Sequence, residues 1–179
     1  MTGVTGNIGN RLLKKLSSEK ERHRLINSFN KSTDILVVWD ENQAETESKN
    51  IEEFVQYLLS AGKTVQCAIY HHTRKKELIK SFPKDGRMHL SKFDFNAFGL
   101  PKTAEVKRLL SKRFDYFINL NIEGRLPLNS LAGLTNATCR IGYPAEKSLP
   151  YYDVLIGNPH SVVMEAYIND LKHYLQKIG

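Results

Sequence analysis

Five residues carry the most chemical capacity in the chain: Asp40, His71, His72, Asn121 and Glu123. Each ends or follows an apolar run. DILVVWD (34–40) delivers Asp40, then Glu41 and Asn42. TVQCAIY (64–70) delivers Tyr70, then His71, His72 and Thr73. FDYFINLN (114–121) delivers Asn119 and Asn121, then Glu123. TCRIGY (138–143) ends on Tyr143, and YYDVLIG (151–157) leads to Asn158 and His160. Carboxylates, imidazoles and amides gathered at strand ends suit a polar crevice for a small ligand such as a nucleotide or phosphosugar. The same types serve proton transfer or metal binding. They are also ordinary loop residues, and adjacent His71 and His72 on an extended chain point to opposite faces, which works against a shared metal. Solvated or structural roles are therefore the simpler explanation, and no catalytic residue, metal site or cofactor is expected. No G-x-S-x-G elbow, P-loop, H-E-x-x-H or C-x-x-C is present.

The opening MTGVTGNIGNRLLKKL spaces Gly3, Gly6 and Gly9 as in a dinucleotide-binding loop. Such a loop works when a strand delivers it to a helix N-terminus, where the backbone approaches the pyrophosphate. Here only Met1 and Thr2 precede Gly3, and the first strand-like run begins near Asp34. The glycines are expected to form a flexible start that caps a helix, without binding a dinucleotide.

A second candidate site is electrostatic, and it gives the first functional expectation, a non-catalytic interaction protein, to which the strand-end ligand site is the alternative. The chain of 179 residues carries a net charge of +7. Residues 1–33 hold seven Lys and Arg against two acids, which is +5 of that total. Arg11, Lys14, Lys15 and Arg22 make this segment a candidate anion-binding arm for RNA, a ribosome-like particle or a membrane surface. A solvated helix face explains the same charges. Ile8, Leu12, Leu13 and Leu16 form an apolar stripe, which predicts that Leu12, Leu13 and Leu16 dock on the domain while the four cations stay wet.

The elements that position these residues follow from periodicity. The apolar runs at 34–40, 64–70, 114–121, 138–143 and 151–157 predict strands, and FDF (93–95) a short further one. Helical spacing predicts helices at 51–62, 73–82, 104–113, 127–134 and 160–178, and Leu25, Ile26 and Phe29 suggest a short second stripe in the arm. Strands alternating with helices of this length imply an α/β fold. It is read as a Rossmann-like, doubly wound, mostly parallel sheet of five or six strands with helices on both faces. The organisation expected is a basic helical arm (1–33) followed by one α/β domain (34–179). Cys67 and Cys139 sit in strand-like runs and read as buried thiols. No transmembrane segment or signal peptide is legible, so the expected location is cytoplasmic.

Several phrases carry a resemblance: FGLPK, FDYFINLN, LPLNSLAGLTNA, IGYPAEK and YYDVLIG. With DILVVWDENQ they resemble an uncharacterised bacterial family, a domain of unknown function, from about residue 10 to the C-terminus. More distantly, FDYFINLN followed by LAGLTNATCRIGY is similar to the N-terminal half of heptosyltransferases. That likeness implies a Rossmann-like half of a glycosyltransferase B fold. It does not imply transfer activity, because 179 residues leave no room for the nucleotide-sugar half. The Gly-Asp pair after the first strand of those enzymes is also absent.

Overall fold

The computed structural model describes residues 3–41, 45–73, 85–145, 149–160 and 163–178. The first helix, α1 (Gly3–Glu19), precedes strand β1 (Asp34–Asp40). Then come α2 (Glu45–Ser60), β2 (Thr64–His71) and β3 (Met88–Ser91). The second half runs α3 (Ala104–Ser111), β4 (Arg113–Asn119), α4 (Leu126–Leu134), β5 (Asn136–Gly142), β6 (Val154–Leu155) and α5 (Met164–Lys177). All strand pairs are parallel, in the order β3-β2-β1-β4-β5-β6. This is an open α/β sheet in a Rossmann-like arrangement, as the alternation of elements implied.

The central strand explains the layering. Ile35 through Asp40 are all buried, so β1 must be covered on both faces. Ile35, Val37 and Trp39 pack with Phe54 and Leu58 of α2 and Leu171 of α5. Leu36 and Val38 face the other way, with Leu13 of α1, Val106 and Leu109 of α3, and Leu131 of α4. Asp40 continues this second alternation, which aims its carboxylate toward the α1 and α4 side of the sheet.

The N-terminal segment is part of this packing. Leu13 is fully buried against α4, and Phe29 is buried in the opposite core cluster. Backbone bonds from Leu25 N to Thr138 O (3.2 Å) and from Phe29 N to Ile178 O (3.1 Å) tie the rest of the segment down. No second helical stripe forms, because residues 21–28 run irregularly and only Phe29–Lys31 make a 3-10 turn. Of the three leucines expected to dock, only Leu13 does; Leu12 and Leu16 remain 37% and 40% exposed.

Other boundaries also differ. FDF is no strand: Lys92–Asp94 is a 3-10 turn, closed by a capping box between Ser91 and Asp94. The strand lies just before it, at Met88–Ser91. Of YYDVLIG only Val154–Leu155 pairs. The helix expected at 73–82 falls almost entirely outside the described residues.

The opening glycines lie within α1 itself, not in a flexible cap. Gly9 is required by a close approach: a Cβ there would stand 2.4 Å from the Phe98 carbonyl oxygen. A Cβ on Gly6 would meet nothing within 4 Å.

Candidate functional site

From β1 the chain winds outward through β2 and β3, then returns to place β4 on the other side of β1. The crevice of an open α/β sheet lies where strand order reverses, outside the carboxyl ends of the strands. Here that is between β1 and β4. A cavity of about 340 Å³ opens there. Gly6, Asn7 and Asn10 of α1 form one wall, Tyr70 and His72 a second, and Glu123 through Pro127 the third.

A charged cluster reaches this cavity. Asp40 is 2% exposed. Its Oδ2 lies 2.6 Å from His72 Nε2 and 2.6 Å from Arg125 Nε. The His72 contact is also a hydrogen bond, whereas the Arg125 Nε contact is one of charge, without hydrogen-bond alignment. Arg125 Nη2 in turn meets Glu123 Oε2 at 2.6 Å. Glu123 is 60% exposed at its side chain, so this outer pair is held weakly. Tyr70 meets the His72 ring edge-on at 5.0 Å.

The loop carrying Glu123 and Arg125 is held from below. Asn121 Oδ1 accepts from Arg125 N (3.0 Å), and Asn121 N donates to Asn119 Oδ1 (2.9 Å). Asn119 Nδ2 donates to the Tyr152 hydroxyl (2.6 Å), which donates to Asn129 Oδ1 (2.9 Å). Asn129 Nδ2 donates to Gly124 O (3.1 Å), at the one position of the turn with positive φ (+64°). Arg125 is the N-cap of α4, and no side chain caps that end. The first N–H groups of a helix have no intrahelical acceptor, and the helix dipole favours an anion beside them. Pro127 in the first turn has no N–H to leave open.

Of the five strand-end residues singled out in the sequence, Asp40, His72 and Glu123 therefore converge. Asn121 lies buried beneath the crevice and positions the loop. His71 points the opposite way from His72, as strand alternation requires. It is buried, with Nδ1 against Glu41 and Nε2 2.8 Å from His89 Nδ1; His89 Nε2 is 3.1 Å from Asp85. Burial lowers the His71 pKa below its ordinary value, and the Glu41 hydrogen bond opposes this in part. Among the described residues, no three His, Cys, Asp or Glu side chains gather as a metal site. Arg125, Asn7 and Asn10 also line the cavity, although none of them ends a strand. Arg125 was findable as the cation just before LP, the proline-marked start of a helix.

The basic segment divides likewise. Arg11, Lys14 and Lys15 are exposed on α1. Arg22 is not wet: its side chain is 3% exposed. Its guanidinium donates to Ala137 O (2.7 Å) and Thr138 O (2.8 Å) and pairs with Asp153. It fastens the segment to β5, and its guanidinium is not open to an external anion as the sequence pattern suggests. Cys67 and Cys139 are free and buried, with thiols pushed up to about 11 and about 12 by desolvation.

The model of a family of unknown function, DUF6913, matches residues 6–178, nearly the whole chain. The chain belongs to that family. The DUF6913 match takes in α1 from Gly6 onward, every named strand and the crevice, so the arm and sheet lie within one family unit. No curated protein and no solved structure matches the chain, which leaves the heptosyltransferase likeness without support. In this DUF6913 chain, no helix among the described residues is long and apolar enough to cross a membrane.

Proposed function

We propose that the protein binds a small anionic ligand, of the nucleotide or phosphosugar class, in the crevice between β1 and β4. The observation that carries this reading is the state of Arg125. Buried Asp40 anchors one edge of its guanidinium, while the outer nitrogen is met by the exposed carboxylate of Glu123. A guanidinium has five donors in a fixed fork that matches a carboxylate or phosphate. Glu123 occupies the place that a ligand's acidic group would take, and its exposure makes it displaceable. The uncapped start of α4 lies alongside and favours the same charge. His72, oriented by Asp40, and the amides of Asn7 and Asn10 supply contacts for the polar body of the ligand. The reading is one of binding; no reaction is assigned.

Calorimetric titration of the full chain with inorganic phosphate, AMP and glucose 6-phosphate tests it. At least one organic phosphate is expected to bind more tightly than inorganic phosphate. Glu123→Gln removes the competing carboxylate and is expected to tighten binding severalfold. Arg125→Lys keeps a charge beside Asp40 but loses the fork, and should weaken binding by about tenfold, the equivalent of ~1.4 kcal/mol. Absence of binding by all three probes at millimolar concentration would overturn the proposal, as would binding indifferent to both variants.

A further inference from the structure

Helix α1 carries a feature that the crevice does not use. Ile8, Leu12 and Leu16 recur every four residues, and so share one flank. They are 41%, 37% and 40% exposed. The stripe runs roughly 12 Å along the helix. Leu13 alone buries itself against α4, so α1 is fixed and the stripe cannot turn inward. Arg11 and Lys15 are exposed along one edge of that flank, Lys15 in a loose, solvent-exposed pair with Glu19 at 3.8 Å, while Lys14 is exposed on the far side of the helix. Beyond Leu16 the stripe runs into an apolar groove of about 380 Å³ between α1 and α3, floored by Leu100, Leu110 and Leu134 and bordered by Lys20 and Lys107.

We propose that this flank of α1, with the groove beside it, docks on an anionic phospholipid surface. The pairing of chemistries decides the occupant. A ridge of aliphatic side chains with Arg11 and Lys15 along one edge matches an amphiphile with an acidic head and hydrocarbon tails. RNA makes use of the cations but finds no aromatic platform in Ile8, Leu12 and Leu16. An acidic peptide helix docks in a concave groove along its whole length, whereas the stripe is convex. A bilayer interface yields around a ridge, and the groove admits the end of an acyl chain beside exposed Lys107, while the Lys20 ammonium is taken up by the Leu134 carbonyl. This inference is independent of the crevice, which uses Gly6, Asn7 and Asn10 of the same helix.

Flotation of the full chain with vesicles tests it, using phosphatidylcholine alone and phosphatidylcholine with phosphatidylglycerol, at low and physiological salt. Two variants accompany the wild type. Arg11→Gln/Lys15→Gln removes the charge beside the ridge; Ile8→Ser/Leu12→Ser/Leu16→Ser removes the ridge. Arg22 is left alone, because it holds the fold. Both sets change exposed side chains, and thermal unfolding confirms that each variant is folded. The expected result is partition onto the anionic vesicles only, weakened by salt. The charge variant should lose about fivefold per cation, and the ridge variant should lose binding as well. Lack of partition at low salt overturns the proposal. So does vesicle binding that survives loss of the ridge, which would mean charge attraction alone. Binding of a single-stranded oligoribonucleotide or of polyglutamate in place of vesicles, unaffected by the ridge variant, overturns it too.

Discussion

Gly6 and Gly9 show how one motif divides into separate roles. Both were conspicuous as a phosphate-binding pattern, yet both lie inside α1. Gly9 is held by contact with the Phe98 carbonyl, and Gly6 faces the crevice with open space around it. Gly9→Ala is therefore expected to destabilise the fold by ~1–3 kcal/mol, the usual range for overpacking. That corresponds to a lowering of the melting temperature by roughly 2–4 °C for each kcal/mol in a chain of this size. Gly6→Ala should leave it unchanged or slightly higher, since alanine is the better helix former. Thermal unfolding of the two single variants checks this. Equal losses would mean that α1 does not sit against the Phe98 turn. No micromolar NADH or NADPH binding that depends on Gly6 and Gly9 is expected, because the glycines do not form a strand-to-helix turn.

His71 gives a second residue-scale expectation. It is buried between Glu41 and His89, and desolvation is the larger influence on it. Its folded pKa is depressed, so the unfolded chain takes up the proton first as pH falls. The associated stability is fully present above the ordinary histidine value of about 6.5 and is lost below it. The stability from Asp85, whose carboxyl His89 and Arg87 hold below its usual range, is present above the ordinary value for aspartate and is lost only below it, outside the pH interval in which His71 titrates. Urea unfolding at pH 7.5 and pH 5.5 should show a smaller acid loss for His71→Gln than for the wild type. Equal losses in the two proteins would show that His71 is not the group responsible.

At the scale of elements, the strands rich in β-branched and aromatic residues were legible because burial on both faces leaves a continuous apolar run. DILVVWD, TVQCAIY and FDYFINLN became β1, β2 and β4 with shifts of a residue or two. The four-residue β3 was not legible: MHLS is too short and too polar to stand out, and it pairs only along one edge of β2. FDF next to it looked like a strand because aromatics favour strands. The Ser91–Asp94 capping box instead closes a 3-10 turn there. In α1 the periodicity was visible but its inward face was not. Ile8, Leu12 and Leu16 outnumber Leu13 as a stripe, and only the position of α4 selects Leu13 for the core. The same ambiguity hid Arg22. A cation in a basic stretch reads as solvated until the carbonyls of Ala137 and Thr138 and the carboxylate of Asp153 are found around it.

For the molecule as a whole, sheet order decides where chemistry is possible. Neighbouring β1 and β4 create a reversal point, and residues far apart in sequence meet there: Asn7, Asp40, His72 and Arg125. Alternation of elements announced the parallel sheet, and strand ends announced Asp40, His72 and Glu123. It could not announce α1 as a wall, since a helix that precedes the first strand has no crossover rule to place it. The central claim is that an anionic ligand enters this crevice at Arg125. Amide chemical-shift mapping of the isotope-labelled full chain, during titration with AMP and with glucose 6-phosphate, tests that most directly. The account predicts saturable shifts for the amides of Asn7, His72, Gly124, Arg125, Leu126 and Leu128, stronger in Glu123→Gln. Shifts confined to Arg11, Lys14 and Lys15, or none at either end of the sheet, would contradict it.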